Sequence, residues 1–476
     1  MFGILIDRSS ERSVTAQLCD QIRRLIETGA MPRGTRLPAT RSLAKELGIA
    51  RNVAIEAYEQ LIAEGYLVGR VGSGTFVAEG ISASAGVRTA GSRIPFDRMR
   101  VAGPAVREAP KGGKGRDGVI RFATGVPDLE RFPRGRWARY LKEAAAECAF
   151  DYGDVRGEEA LRQEIAAFLF RSRGMRAEPD RIMITGGSSD GFDLAARALR
   201  PWFDSVFLED PTIEITSHIF DRTGYRIEPV PVDDSGMRVH EIGSFPEGRL
   251  MVLTPSHQYP TGGILSIQRR LHAVRLVEKA GACIVEDDYD GDFRLKGVPI
   301  PPLCTLAPER VIYAGTFSKT LAPGLRLGFL VLPGGLAGTF AEFREAANLR
   351  MPAAPQLALA RFIRDGHLER HIYRMRTVYR NRRSLLIEAL NRHFGGRAVI
   401  RGDEAGMHLL VEFPHLAEAP DWSQAAEYGV VVEPVEDYCM VRGLRTRQIV
   451  LGYGNVRECD IEPGIERLNR FVREWE

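Results

Sequence analysis

The hydrophobic and polar positions of the chain follow two different patterns on either side of a Gly-, Ala- and Ser-rich stretch. Between residues 13 and 77, apolar side chains recur every three or four positions, which is typical of amphipathic helices. From Val119 onward, apolar runs of strand length alternate with helical segments, as in a doubly wound α/β domain. We therefore predict a multidomain protein with a small, mainly helical N-terminal domain and a larger C-terminal α/β domain.

The N-terminal segment predicts three helices followed by a β-hairpin. The second helix follows the LPAT segment at residues 37–40 and ends at Gly48. The third helix starts at Arg51, and its apolar spacing predicts a buried stripe made of Val53, Ala57, Leu61 and Ile62. Short β-rich runs at residues 66–68 and 75–77 flank a Gly-rich turn, so we predict a two-stranded wing.

Three arginines fall at points that a winged helix-turn-helix turns toward DNA. Arg41 lies in the second helix, Arg51 opens the third, and Arg70 lies in the wing. A small helical accessory domain is the alternative, because the segment is nearly balanced in charge. The string RLPATRSLAKELGIARNVAIEAYEQLIAEGYLVGRVGSGTFV resembles the GntR-type winged helix-turn-helix along its whole length. This resemblance implies binding to double-stranded operator DNA.

We assign residues 1–80 to this DNA-binding domain. Arg51 and Asn52, near the N-terminal end of the third helix, are the candidates for contacts with base edges. The candidates for phosphate contacts are two arginines and the amides of the wing, namely Arg41, Arg70, Gly72 and Ser73.

Residues 81–118 are predicted to form a linker between the two domains. They are rich in Gly, Ala and Ser, and they contain eight basic and three acidic residues. We interpret the segment as a flexible basic tether, and attraction to the DNA backbone is the second interpretation. Residues 119–476 are then the effector and dimerisation domain.

Composition narrows the remaining classes of protein. The net charge of +3 over 476 residues is too small to indicate a nucleic-acid partner by itself. Evidence for such a partner must come from where the basic residues lie along the chain. Six cysteines occur without CxxC pairs or metal-ligand spacing, which favours reduced thiols and no structural metal. No stretch has the length of a membrane span and no leader-like segment opens the chain, so we expect a cytoplasmic protein.

The segment TFSKTLAPGLRLGF at residues 316–329 carries the candidate chemistry. Lys319 follows a short apolar run and precedes a Pro-Gly pair, so we place it at a strand-to-loop junction. A lysine that forms a Schiff base needs a desolvated site that lowers its pKa. The Thr-x-Ser-Lys-x6-Arg pattern resembles the lysine motif of class I, fold type I aminotransferases. The resemblance implies pyridoxal 5′-phosphate bound to Lys319 as an internal aldimine, with Thr316, Ser318 and Arg326 around its phosphate.

Other segments follow in the order that these aminotransferases use. RIMITGGSSDGFDLAARAL predicts a strand, a turn and a helix, so Ser188 and Ser189 lie at a helix N-terminus, where a phosphate is favoured. In ACIVEDDYDGDFR a buried strand runs into acids at its carboxyl end, where ligands bind in α/β sheets. The resemblance assigns Asp287 to the pyridine nitrogen of the cofactor and Tyr289 to its phenolic oxygen. The adjacent Asp288 is the alternative to Asp287.

Tyr152 matches a tyrosine that reaches the cofactor of the partner subunit in these aminotransferases, which implies a homodimer. Two cofactor contacts depart from the aminotransferase pattern. Tyr259 stands where an Asn-Pro-Thr-Gly segment has its asparagine, and Ile213 occupies the place of an aromatic ring that covers the pyridine. The site that would bind the substrate carboxylate also departs from the aminotransferase pattern. Val450 stands where an arginine would clamp the substrate carboxylate, and strand alternation turns Arg447 to the opposite face.

The DNA-binding segment, the basic linker and the aminotransferase-like domain together resemble the MocR-type transcriptional regulators over nearly all of the chain. This resemblance implies a transcription factor dependent on pyridoxal phosphate that senses an amine, an amino acid or pyridoxal phosphate itself. An active aminotransferase with an accessory DNA reader is the alternative. A third hypothesis is a pocket that has lost its cofactor and serves only in dimerisation, but the presence of Lys319, Asp287 and Arg326 argues against it.

Overall fold

A computed structural model describes residues 3–8, 10, 12–70, 72–79, 113–114, 118–243, 245–296 and 301–476. The chain divides into two compact units, Met1–Arg107 and Glu108–Glu476. Apart from residues 113–114 and 118, the predicted linker at residues 81–118 lies outside the described residues. None of the helices in the described part of the chain combines the length and the apolar character that a bilayer span requires.

The N-terminal unit has the predicted three helices and wing. Its elements are α1 (Val14–Glu27), α2 (Thr40–Leu47), α3 (Arg51–Ala63), β1 (Leu67–Arg70) and β2 (Gly74–Val77). The hydroxyl of Ser13 caps α1 by accepting the N–H of Ala16 at 3.2 Å. Gly48 ends α2 with a φ of 64°, a left-handed conformation that suits glycine. The strands β1 and β2 pair antiparallel from Leu67↔Val77 to Arg70↔Gly74.

The buried stripe of α3 differs from the predicted one. The helix buries Ala54, Ala57, Tyr58 and Leu61. The prediction was wrong at Val53, which is half-buried, and at Ile62, which is 40% exposed. The reason is the ring of Tyr58, which was not counted as a core residue. It packs inward while its hydroxyl donates to the carbonyl of Pro38 at 2.9 Å, so burial leaves its polar end satisfied.

The C-terminal unit is an α/β domain with two smaller sheets. Its strands are β3 (Gly113–Lys114), β4 (Ile120–Arg121), β5 (Ile182–Thr185), β6 (Ser205–Asp210), β7 (Arg226–Asp233), β8 (Gly236–Met237), β9 (Arg249–Leu253), β10 (Cys283–Asp288), β11 (Val311–Thr316), β12 (Gly328–Val331), β13 (Val399–Arg401), β14 (His408–Glu412), β15 (Val430–Val431), β16 (Glu433–Pro434) and β17 (Gln448–Gly452). Its helices are α4 (Arg134–Glu147), α5 (Glu159–Arg173), α6 (Ser188–Leu199), α7 (Glu214–Arg222), α8 (Ile267–Lys279), α9 (Gly334–Ala346), α10 (Ala353–Arg364), α11 (His367–Phe394) and α12 (Glu458–Val472).

The main sheet has eight strands in the order β5-β12-β11-β10-β9-β6-β7-β8. The central strands β11, β10, β9, β6 and β7 run parallel to one another, whereas β12 is antiparallel to both β11 and β5, and β8 is antiparallel to β7. Every residue of β10 and β11 is buried, including the three acids Glu286, Asp287 and Asp288 at the end of β10. The predicted doubly wound α/β fold is therefore confirmed.

Two smaller sheets complete the unit. The strands β13, β14, β17 and β16 form an antiparallel sheet in that order, and β15, β4 and β3 form a three-stranded sheet. The short strand β3 pairs antiparallel with β4, so residues 113–114 of the predicted linker belong to this unit. Because the parallel strands of the main sheet end at one edge, the residues that follow β10 and β11 are brought together there.

The corrected stripe of α3 predicts unequal effects for two neighbouring apolar residues. Leu61 is fully buried and Ile62 is 40% exposed. We expect Leu61→Ala to destabilise the N-terminal unit by about 2–5 kcal/mol, because it removes buried methyl groups and leaves a cavity. We expect Ile62→Ala to cost no more than about 1 kcal/mol. Hydrogen exchange of the α1 and α3 amides in the full chain measures both opening free energies, and equal losses would contradict the corrected stripe.

Candidate functional site

Lys319 lies just after β11, at the predicted junction between a strand and a loop. Its Nζ donates a hydrogen bond to the carbonyl of Gly125 at 2.7 Å. The side chain as a whole is half-buried, but its amino group lies deep enough for burial to lower the pKa of Lys319 below its ordinary value. A lowered pKa favours the neutral amine, which is the nucleophilic form.

Position 125 favours glycine for two reasons: its backbone is left-handed, and it lies next to the amine of Lys319. Its φ is +68°, and a Cβ built on it would lie 2.9 Å from Nζ of Lys319. The left-handed backbone disfavours any side chain at this position, and a Cβ would displace the amine. The segment around residues 122–125 therefore forms one wall of the lysine site.

The two adjacent acids at the end of β10 have different surroundings. Asp288 accepts hydrogen bonds from Arg173 and from the hydroxyl of Tyr313, and it forms a buried ion pair with Arg173. Asp287 is also buried, and its Oδ1 has no hydrogen-bond partner within the described part of the chain. Burial, with the charge of Asp288 in addition, raises the pKa of Asp287 well above its ordinary value, and Lys319 opposes this shift. Oδ1 of Asp288 also has no hydrogen-bond partner among the described residues, but Oδ2 of Asp288 is paired with Arg173, so Asp287 is the acid near the lysine that has no arginine partner.

Tyr289 and Tyr259 line the same region. Their rings meet edge to face with centroids 6.0 Å apart, and both side chains are buried. The hydroxyl of Tyr259 lies 2.7 Å from Oγ1 of Thr124, the residue before Gly125. Tyr259 is therefore part of the lysine site although its phenol cannot reproduce the amide of an asparagine.

A buried polar network next to Tyr289 was not predicted from the sequence. Nδ1 of His257 lies 2.9 Å from Oδ2 of Asp290 and 3.2 Å from the hydroxyl of Tyr289. The ring of His408 stacks at a tilt against His257 with centroids 4.8 Å apart. The ligand-type atoms of His257, Asp290 and His408 lie within 4.8 Å of one another, but Asp290 is already paired with His257. We read the group as the support that orients Tyr289.

The predicted phosphate-binding residues lie at the N-terminus of α6 and in the loop after β11. Ser188 and Ser189 open α6 after Gly187, which has a φ of 102°. The guanidinium of Arg326 approaches the same turn, since a Cβ on Gly187 would lie 3.4 Å from its Nη1. Oγ1 of Thr316 and Oγ of Ser318 are 3.0 Å apart. The structure thus brings a helix N-terminus and a cation together, as an anion site requires.

Tyr152 is separate from these groups. Its ring is 76% exposed, and the guanidinium of Arg350 lies 5.6 Å from the ring centroid. The neighbouring Phe150 is 89% exposed. Within the described residues, no hydrogen bond or ring contact links Tyr152 to Lys319 of its own chain.

The place of the carboxylate clamp is apolar. Val450 is fully buried in a small cluster with Leu410, Val435 and Cys439. Two nearby arginines are bonded elsewhere: Arg445 donates to Val232 and Gln448, and Arg447 donates to the carbonyls of Pro414 and Leu416. Neither arginine compensates for Val450.

In the N-terminal unit, Arg51 and Asn52 are exposed in the first turn of α3, and Arg41 is exposed on α2. The wing residue Arg70 forms an exposed ion pair with Glu79, and its guanidinium lies 5.0 Å from the ring centroid of Phe76. Gly72 and Ser73 are exposed at the tip of the wing. All six predicted DNA contacts are therefore on the surface of their unit.

Comparison with known proteins identifies two families along the chain. The family described as "Bacterial regulatory proteins, gntR family" matches residues 14–77, and "Aminotransferase class I and II" matches residues 117–447. The chain is 33% identical to the probable rhizopine catabolism regulatory protein MocR of Rhizobium meliloti, over 98% of this chain and 95% of that protein. It is 32% identical to the HTH-type pyridoxine biosynthesis transcriptional regulator PdxR of Corynebacterium glutamicum, over 81% of each.

A solved structure matches the C-terminal part. The multiple substrate aminotransferase of Thermococcus profundus has a TM-score of 0.68 and 27% identity, covering 75% of this chain and 91% of that chain. Fold and comparisons together define a class, in which a GntR-type winged helix-turn-helix is joined to a fold type I aminotransferase domain. Within that class, the chain belongs to the MocR-type transcriptional regulators. It is a DNA-binding regulator, and its aminotransferase domain identifies pyridoxal 5′-phosphate as the cofactor.

The different surroundings of Asp287 and Asp288 predict that Arg173 holds the acid that points away from the lysine. We expect Arg173→Met to lower the free energy of unfolding of the C-terminal unit by about 3–5 kcal/mol, because it leaves a buried carboxylate without its partner. All four tryptophans lie in this unit, so tryptophan fluorescence during urea unfolding reports on it alone.

The matched control is Arg171→Met on the same helix. Arg171 pairs with Glu369 at 2.5 Å, but the two side chains are 47% and 33% exposed. We expect a loss of no more than about 1 kcal/mol for this surface pair. Equal losses of unfolding free energy in the two variants would contradict the conclusion that Arg173 compensates the buried charge of Asp288.

Proposed function

We propose that the C-terminal domain holds pyridoxal 5′-phosphate on Lys319 and binds an amine effector there, and that this binding alters how a homodimer engages its operator. The observation that carries the proposal is the combination of a buried lysine amine beside the free oxygen of Asp287 with a DNA reader on the same chain.

Each cofactor-contacting residue has a role that fits its surroundings. Asp287 would accept a hydrogen bond from the protonated pyridine nitrogen, which satisfies its unpartnered Oδ1 and removes the cost of a lone buried acid. Tyr289 would face the phenolic oxygen, and Tyr259 would border it on the side of Thr124. When bound, the cofactor supplies an electrophilic carbon that amines attack.

The phosphate would lie at the start of α6. Ser188 and Ser189 offer hydroxyls and backbone amides there, and Arg326 supplies the positive charge. Thr316 and Ser318 would complete the cradle from the loop before Lys319. These residues would anchor the phosphate of the cofactor.

A homodimer is supported by the exposed aromatic residues around Tyr152. Phe150 and Tyr152 present large apolar surfaces to solvent, which is typical of an interface with another protein. A second copy of the chain that covered them would bring Tyr152 toward the cofactor of its partner, as the aminotransferase resemblance implies.

Val450, an apolar residue at the position of the carboxylate clamp, favours a sensing role over catalysis. A substrate carboxylate next to Val450 would lose its water without gaining an ionic partner. An active aminotransferase is the second candidate, because the fold is shared with enzymes such as that of Thermococcus profundus. Sustained turnover of an ordinary α-amino acid with an oxo-acid acceptor would favour this second candidate.

The first prediction from this proposal concerns Lys319. Borohydride reduction of the purified protein with pyridoxal phosphate is expected to leave a stable adduct on Lys319, detectable by peptide mass spectrometry. Lys319→Ala is expected to lose the adduct, whereas Lys296→Ala, which removes an exposed lysine paired with Asp403, is expected to keep it. An adduct on another lysine in the Lys319→Ala protein would refute the assignment.

The second prediction concerns Arg51. We expect Arg51→Ala to weaken binding of the full-length protein to its operator by about 1–3 kcal/mol, and to relax sequence preference if Arg51 reads a base. If Arg51 contacts phosphate instead, the loss will be similar for all sequences, with a smaller salt dependence. The control is Arg24→Ala, an exposed arginine in the last turn of α1, which we expect to bind as the wild type does.

Footprinting across the chain's own upstream region and neighbouring promoters identifies the operator for these measurements. A dimer is expected to protect two half-sites related by two-fold symmetry. Uniform protection without sequence preference would argue against the regulatory mechanism.

A further inference from the structure

The short strand β16 places a carboxylate directly beside the clamp position. Glu433 of β16 lies opposite Val450 of β17 in their antiparallel pairing. Residues directly opposite in an antiparallel pair project from the same face of the sheet, with Cβ atoms about 4.5–5.5 Å apart. Glu433 therefore extends from the same face as Val450, the residue that stands in place of the arginine clamp.

Three hydrogen bonds fix the orientation of this carboxylate. Oε1 of Glu433 accepts the backbone N–H of Thr124 at 2.9 Å, and Oε2 accepts the hydroxyls of Thr124 and Tyr438. Two of these donors belong to Thr124, which precedes the glycine that contacts Lys319. The carboxylate is thus attached to the wall of the lysine site and is only half-buried, so a ligand can approach it.

The charges around the lysine amine are mainly negative. The carboxylates of Asp290, Asp287 and Glu433 each favour the protonated form of Lys319, against the effect of burial. Asp287 would be matched by the pyridine nitrogen, and Asp290 is paired with His257. Glu433 is hydrogen-bonded only to neutral groups among the described residues. Of these three carboxylates, it is the one that has neither the pyridine nitrogen nor a histidine as a partner.

We propose that Glu433 determines which amines the pocket accepts: the effector carries a second cationic group and no carboxylate, as an aliphatic diamine does. One amino group would displace Lys319: a new carbon–nitrogen bond forms to the effector, the bond to the lysine nitrogen breaks, and Lys319 leaves as its free amine. The other amino group pairs with Glu433 where an amino acid would present its carboxylate. An α-amino acid would place its carboxylate next to the carboxylate of Glu433, and the neighbouring Val450 could not compensate the two negative charges. The inference rests on the proposed cofactor site and adds its ligand class.

The test compares ligands that differ only in their second group. Holoprotein is titrated with linear terminal diamines of graded length, each beside the monoamine and the amino carboxylate of the same carbon chain. The visible absorbance of the bound cofactor reports exchange of the lysine, and calorimetry reports binding independently. We expect the best diamine to half-saturate the protein at a concentration at least about tenfold lower than its matched monoamine, because it adds a charge-assisted hydrogen bond. The amino carboxylates are expected to bind more weakly than the monoamines.

Two variants assign this preference to Glu433. Glu433→Gln keeps the shape of the side chain and is expected to abolish the advantage of the diamine while leaving the monoamine within about twofold of the wild type. Glu412→Gln is the matched control, because Glu412 lies on β14 of the same sheet, at the end opposite Gln448 and away from Val450. It is expected to keep the full diamine preference. Tryptophan fluorescence verifies that each variant is folded.

The outcomes separate this inference from the function on which it rests. If wild-type protein forms no lysine adduct with pyridoxal phosphate, the proposed cofactor site fails. If it forms the adduct but binds α-amino acids at lower concentrations than diamines, the cofactor site stands and the role of Glu433 is refuted. A diamine advantage that persists in Glu433→Gln also refutes it, and the wild-type comparison decides the ligand class even if that variant does not fold.

Discussion

The burial of one amino group is the constraint on which the C-terminal domain depends. Nζ of Lys319 lies among carboxylates that favour its charged form, while burial favours its neutral form. The surroundings are arranged around this balance. A glycine leaves room for the amine, a carbonyl accepts its hydrogen bond, and a buried acid with an unpartnered oxygen stands beside it. Removing any one of them changes the proton affinity of the amine.

Strand geometry explains how adjacent acids can have separate roles. Successive side chains of a strand point to opposite faces, so Asp287 and Asp288 cannot both face the lysine. Arg173, at the end of α5, takes the acid on the far face and compensates its charge. The ion pair ties a helix to the edge of the sheet without using a residue of the site. The acid that faces the lysine on one side of β10 is therefore accompanied by an acid on the other side, whose charge Arg173 compensates.

Much of this could be predicted from the sequence, and the failures have physical causes. Local patterns were sufficient for the three helices and wing, the α/β fold and the strand-to-loop position of Lys319, because these depend on short-range periodicity and on turn residues. The stripe of α3 was wrong at Ile62 because a tyrosine with a satisfied hydroxyl took the core position. Sequence alone left Asp287 and Asp288 as alternatives, since the distant Arg173 distinguishes them. Glu433 was missed because strand pairing, which no local pattern encodes, sets it opposite Val450.

The hydrogen bonds of the site join parts of the chain that are far apart in sequence. Lys319 and Gly125 are 194 residues apart, and Thr124 and Glu433 are 309 residues apart. At roughly 5–20 residues per second, a ribosome needs about 15–60 seconds to make the second residue of the latter pair after the first. Until then Thr124 lacks the carboxylate that it holds in the finished domain, and the wall of the pocket is incomplete. Cofactor loading at a complete pocket therefore has to follow the synthesis of Glu433.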